Sequence, residues 1–282
     1  MKLQTLFKAS AVAAALALAG CGGDINIDTG ATVEQPDPGT GGGDNGGGDT
    51  GADLPGETSG SLSLAASEAL GEEVQVQVLS GRITEDTTLV NSLDDGTTVM
   101  YALDGPTFVG GDKADSAVLT VEPGTVIFGR QGNDYLVVSR DSQIIAEGTA
   151  DAPIIMTSSQ DVLGEETAPG QWGGFIILGN APSNKCPSDG SDCALQVEGA
   201  EEGAVFGGTD ETDNSGVLRY LVVKHGGFEI APDNELNGIT FGGVGSGTTV
   251  EYLQVHGNSD DGIEMFGGNV DFKHVVLTGM QD

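Results

Sequence analysis

Between Phe206 and Gly279 the chain writes one pattern three times. Phe206-Gly207-Gly208 leads to Leu218-Arg219-Tyr220, Phe241-Gly242-Gly243 to Val250-Glu251-Tyr252, and Phe266-Gly267-Gly268 to Val270-Asp271-Phe272. Each triplet runs into a short strand ending near Val223, Val255 or Val275. Self-similarity at a period of roughly 20–50 residues is the mark of stacked units, each too small to bury its apolar face alone. The turns vary in length while the strands keep their composition, as expected of a solenoid with a fixed core and free loops.

The residue types choose the kind of solenoid. Short runs rich in Val, Ile, Leu, Tyr and Thr alternate with clusters of Gly, Asn, Asp and Ser, which is strand and turn chemistry. No convincing helical period follows residue 71. In VEYLQVHG (250–257) the alternation of apolar residues slips by one in mid-segment, so a bend or bulge is expected there to let both halves face inward. Coils of short parallel strands with glycine-rich corners make a parallel β-helix. A propeller needs blades of about 40–45 residues, longer than this period.

Five stretches in this order, AVLTVEPGTVIFGR (117–130), SQIIAEGTADAPIIMTS (142–158), PGQWGGFIILGNAP (169–182), FGGTDETDNSGVLRYLVVKHGG (206–227) and NGITFGGVGSGTTVEYLQV (237–255), resemble a family of secreted bacterial right-handed β-helix proteins. The resemblance covers about residues 80 to 282. It implies an all-β, single-stranded, right-handed parallel β-helix and leaves the biochemistry open, since that family carries no established activity. Function must then be argued from a site and not from the fold.

Ahead of the repeats lie two segments of different character. Lys2 and Lys8 accompany an apolar run, AVAAALALAG, too short to span a bilayer but suited to a secretory signal. Leu18-Ala19-Gly20-Cys21 resembles the lipobox of bacterial lipoproteins, which implies residues 1–20 as signal peptide, cleavage before Cys21 and a diacylglycerol on its thiol. An ordinary signal peptide with an unmodified cysteine is the alternative. Glycine at position 22 favours passage to the outer membrane, on its surface or periplasmic face. No transmembrane helix is then needed, and none is expected. Residues 21–70, with GTGGGDNGGGDTGADLPGE at their centre, lack the apolar side chains to offset ordering entropy and are expected to form a disordered tether. Its root-mean-square span is roughly 35–40 Å. A phosphate-binding reading of GGGDNGGG fails for want of a preceding strand, a following helix and a lysine. The β-helix domain is placed at 71–282, and the chain stops directly after a repeat, so the expectation is that it is truncated there.

Charge narrows the partners. The sequence holds 43 Asp and Glu against 10 Lys and Arg, a formal net charge of −33. Such a surface repels nucleic acid and polyanionic glycans unless divalent cations bridge them. With Cys21 assigned to lipid, Cys186 and Cys193 remain in NKCPSDGSDC and are expected to form a local disulfide in an oxidising compartment. Zinc is the alternative, disfavoured by the absence of a nearby histidine.

The turn HGNSDDGIE gathers Asp260, Asp261 and Glu264 within five residues. Three readings stay open: turns capped by Asn and Asp side chains, a calcium site drawing on these three carboxylates, and a catalytic acid–base pair, for which facing groups such as Asp261 and Asp282 would suit better than neighbours. His225, His256 and His274 fall at different distances from their aromatics and are not expected to align. Trp172, between glycines, reads as a packed anchor rather than a sugar platform. No residue stands out as catalytic. The expectation is an outer-membrane-anchored binding or scaffold module for carbohydrate or another surface ligand, with a polysaccharide hydrolase or lyase as the alternative.

Overall fold

The computed structural model describes residues 70, 74–189, 192–232 and 234–281. The signal peptide, Cys21, the tether up to residue 69 and Asp282 lie outside the described residues. From Val74 onward the strands of the 14-stranded sheet stack in parallel, one rung above another, as a right-handed β-helix. One inward column runs Leu89, Val121, Ala146, Leu218, Val250, Phe272 through successive rungs. A second, on another face, runs Ile83, Val109, Val138, Ile177, Phe241, Met265. The members before the last rung are buried and belong to one core. Burial of each such aliphatic or aromatic side chain contributes about 1.5–3 kcal/mol, and β-branched residues fill these columns because they suit a pleated, buried surface.

The slip in VEYLQVHG is a bend. In the strand Thr249–His256 the side chains of Val250, Leu253 and Val255 are buried, and between them Tyr252 takes a left-handed backbone with φ 55°. The rungs on either side repeat it, at Tyr220 with φ 48° and His274 with φ 57°. Register confirms the equivalence: Arg219 pairs with Glu251 and Glu251 with Lys273, while Leu221 pairs with Leu253 and Leu253 with Val275. One unpaired residue per coil thus turns the chain and restores the inward alternation after the corner.

The same register corrects the reading of the repeat. The rung mates of Leu218 and Val250 include Phe272, not Val270, so the third triplet is Phe272-Lys273-His274. Phe241 pairs with Met265, which shifts the third FGG by one position. The first FGG leaves the stack altogether: Val205–Phe206 pairs antiparallel with Leu195–Gln196 in an excursion outside the coil. Letter similarity found the period but not the register.

That excursion covers a second, outward-facing apolar cluster. Phe108, Tyr135, Val137, Ile176 and Leu178 point away from the coil and meet Val197, Ala204, Phe206 and Leu236. The disulfide Cys186–Cys193 closes part of it. Arg140, 1% exposed, fixes it to the coil. Its guanidinium donates to both carboxylate oxygens of Asp112, at 2.5 and 2.7 Å, and to the carbonyls of Cys193 and Gly207, at 2.5 and 2.6 Å. Gly207 must be glycine here, since a Cβ would stand 2.8 Å from one cysteine sulfur and 3.0 Å from the other. Trp172 is fully buried and donates from Nε1 to the Lys224 carbonyl at 2.7 Å, so it is a structural anchor. A four-residue helix, Ser159–Val162, capped by Ser158, departs from the strand-only expectation.

Candidate functional site

The left-handed corner builds the first concave surface. Because Tyr220, Tyr252 and His274 share φ and rung position, their rings stack: Tyr220 on Tyr252 at 4.4 Å and 3°, Tyr252 on His274 at 4.4 Å and 12°. Both faces of Tyr252 and one face each of Tyr220 and His274 are covered within the stack, and ring edges and polar tips face solvent; Tyr252 is 40% exposed. Among the described residues neither tyrosine hydroxyl has a hydrogen-bond partner. Beside the ladder runs the outward column Val222, Gln254, Val276. Together with Pro153 they line a groove of about 520 Å³. On the ladder's other flank Arg219 pairs with Glu147 at 2.5 Å and Glu251 at 3.3 Å, and Lys273 pairs with Glu251 at 3.2 Å. The hydrogen bond from Lys273 holds the Glu251 carboxyl below its usual range. These cations are matched by acids within the protein.

A second cleft, of about 700 Å³, opens under the excursion, lined by Asn133, Lys185, Glu198, Glu201, Phe206 and Phe266 among others. Phe206 and Phe266 form its floor, with ring centroids 5.7 Å apart. Glu264, on the strand Ile263–Phe266, has its carboxyl pushed above the usual range, first by burial and then by the charges of Glu198, Asp261 and Asp260. Asn237 donates to it from Nδ2 at 2.6 Å, which offsets part of that effect.

The acidic turn is held by the chain's own hydrogen bonds. Asn258, fully buried, donates from Nδ2 to the carbonyls of Asp260 at 3.0 Å and Asp261 at 2.8 Å. The Asp261 carbonyl also accepts from the Gly238 amide at 3.0 Å. Ser259 donates from its hydroxyl to the Gly227 carbonyl. Among the described residues no group of three or more His, Cys, Asp or Glu side chains is placed to hold a metal ion.

The histidines separate. His274 enters the tyrosine ladder, while His225 and His256 meet edge to face at 5.9 Å, a pairing that residue counting from the aromatics missed. His225 is buried beside the ion pair of Lys224 and Asp161. Burial lowers the His225 pKa, against the pull of Asp161. At Asp161 burial alone would raise the pKa, but hydrogen bonds from Lys224 and Thr157 outweigh it and the carboxyl titrates low. Only assembly of three coils brings this corner together, so no local motif announces it. The ladder did leave a trace, in the mid-strand slip of the apolar alternation.

Among the described residues no helix is long and apolar enough to cross a membrane. No curated protein and no solved structure matches the chain. A family model, the pectate-lyase-like β-helix domain, matches residues 81–282, the same span over which parallel rungs and inward columns are seen. The stacking and the match agree that this chain belongs to the pectate-lyase-like β-helix family.

Proposed function

We propose that this protein binds neutral, linear polysaccharide on the outer face of its β-helix, while a lipid on Cys21 holds it at the outer membrane. The observation that carries the reading is the groove along Tyr220, Tyr252 and His274, a concave strip of ring edges and polar tips that crosses three coils. Such a strip offers hydrogen bonds to hydroxyls and apolar contact to sugar C–H groups. The net charge of −33 and the matched cations at its flank leave little to attract a polyanion, which favours a neutral chain. Depletion of the full protein from solution by a panel of insoluble and immobilised polysaccharides tests this; retention by neutral members supports it, and retention by none refutes it. Cys21→Ser should move the protein from the membrane to the soluble fraction.

A second reading, glycoside hydrolysis, is favoured by Glu264. A half-buried carboxyl held above the usual range, with Asn237 donating to it at 2.6 Å, has the chemistry of the general acid that protonates a leaving oxygen. Release of reducing ends from the same panel, lost in Glu264→Gln, would favour this reading.

A further inference from the structure

We infer that the cleft under the excursion is a second binding site, for a primary amine carried on an apolar body. Its ammonium lies among Glu198, Glu201 and Glu264, and its body lies on the rings of Phe206 and Phe266. The site is separate from the tyrosine ladder and requires neither polysaccharide binding nor a hydrolytic role for Glu264.

Rung register brings the innermost carboxyl to the cleft. On the outward face Ile176 pairs with Thr240 and Thr240 with Glu264, while Leu178 pairs with Gly242 and Gly242 with Phe266. Side chains two residues apart on a strand share a face, so Glu264 stands beside Phe266, whose ring lines the cleft. The excursion contributes Glu198 and Glu201 to the same lining. Neither has an ion-pair partner among the described residues. The Glu264 carboxyl is raised first by burial and then by the charge of Glu198, which places the two within electrostatic reach.

A buried amide next to Glu264 lacks a donor. Asn237 is 4% exposed; its Nδ2 donates to Glu264 at 2.6 Å, and its Oδ1 has no hydrogen-bond partner among the described residues. The two amide atoms share one carbon, so an unanswered acceptor lies close to a carboxyl that is itself an acceptor. A buried acceptor without a donor is costly, and nearly all such groups in folded proteins are paired. An ammonium carries three N–H donors and no acceptor, the complement of carboxylates and an amide oxygen.

The rest of the lining selects among ligands. Phe206 and Phe266, tilted at 5.7 Å, and Ile230, 38% exposed, give an apolar floor. A hydrated metal ion gains nothing from that floor, and among the described residues no three His, Cys, Asp or Glu side chains are placed to hold one. An anion would meet three carboxyls against one cation, Lys185. A neutral apolar ligand would desolvate the carboxyls without pairing them. An amine on an apolar body buries that body on the floor and sets its charge beside the carboxyls and near ring faces that attract cations. The cleft, about 700 Å³, is of the size that holds small organic molecules.

The test is calorimetric titration of the full chain, in about 0.15 M salt to screen diffuse attraction, with 4-phenylbutylamine. Two comparisons accompany it: 4-phenylbutanol, the same body without the charge, and calcium chloride, charge without the body. The amine should bind about tenfold or more tightly than the alcohol. Glu198→Gln and Glu264→Gln should each weaken the amine about tenfold and leave the alcohol unchanged. Melting temperatures no lower than the parent's separate lost contact from lost fold. Glu85→Gln, which removes an exposed charge on the first coils, should leave the amine's affinity as it was. Equal affinity for amine and alcohol, an unchanged affinity in Glu198→Gln or in Glu264→Gln, or an equal loss in Glu85→Gln overturns the inference. So does absence of amine binding, or displacement of the amine by an equal concentration of calcium, which would assign the carboxyls to a metal.

Discussion

The rings of Tyr220 and Tyr252 lie parallel within 3° at 4.4 Å, although each residue holds the left-handed backbone that L-amino acids avoid. That conformation costs about 1–2 kcal/mol per residue, and an aromatic pair returns about 0.5–1.5 kcal/mol beyond its buried area. Ladder and corner thus sustain each other. Tyr252→Val, which loses the stack and places a β-branched residue at positive φ, should destabilise by about 2 kcal/mol or more in urea denaturation. Tyr252→Asn tolerates the backbone and should cost about 1 kcal/mol less.

Arg140 holds the excursion against the coil by four hydrogen bonds from a buried guanidinium. Arg140→Met keeps the volume but strands the Cys193 and Gly207 carbonyls and leaves Asp112 without its partner. A loss of about 3 kcal/mol is expected, with early proteolytic cleavage inside residues 183–207 as the local readout.

The Cys186–Cys193 bridge closes a short loop, so its entropic contribution is modest, about 2.5 kcal/mol or less in the chain-entropy account. Reduction should lower the midpoint of denaturation accordingly without dissolving the coil, and far-ultraviolet circular dichroism should keep its strand signal.

Two groups set opposite pH dependences. Burial lowers the His225 pKa, so the folded state binds this proton less readily than the unfolded chain; the stability this gives is present above the ordinary histidine range and is lost as pH falls below about 6.5. Glu264 is raised, so its ionisation costs stability as pH climbs from the ordinary glutamate range through its folded value. His225→Asn should flatten the acid-side loss, and Glu264→Gln should raise the melting temperature at pH 7 but not at pH 4. Melting curves of both variants across pH 4–8 check the signs.

Much of the fold was legible in the sequence because the inward columns impose their own signature. Apolar alternation in VEYLQVHG, broken once in mid-segment, implies a bend or bulge with both halves facing inward; the bend falls at Tyr252, whose ring turns outward instead. The disulfide was legible from a loop with two cysteines, and the anchoring role of Trp172 from its glycine neighbours. Register was not. The third triplet reads Val270-Asp271-Phe272 by letters, yet backbone pairing puts Phe272 on the Val250 rung, because hydrogen bonding and not resemblance decides which residues meet. The site suffered most from this. Asp161 meets Lys224, and Tyr252 meets His274, only across coils, while Asp260 and Asp261, conspicuous as neighbours in the chain, lend their carbonyls to a turn that Asn258 caps.

The most direct measurement is hydroxyl-radical footprinting of the full chain, with and without a saturating neutral polysaccharide selected from the binding panel. Binding along the ladder predicts protection of Tyr220, Tyr252 and His274, with Ile230 and Phe266 in the other cleft labelled as before. Unchanged labelling of the ladder, or protection confined to Ile230 and Phe266, would contradict the account.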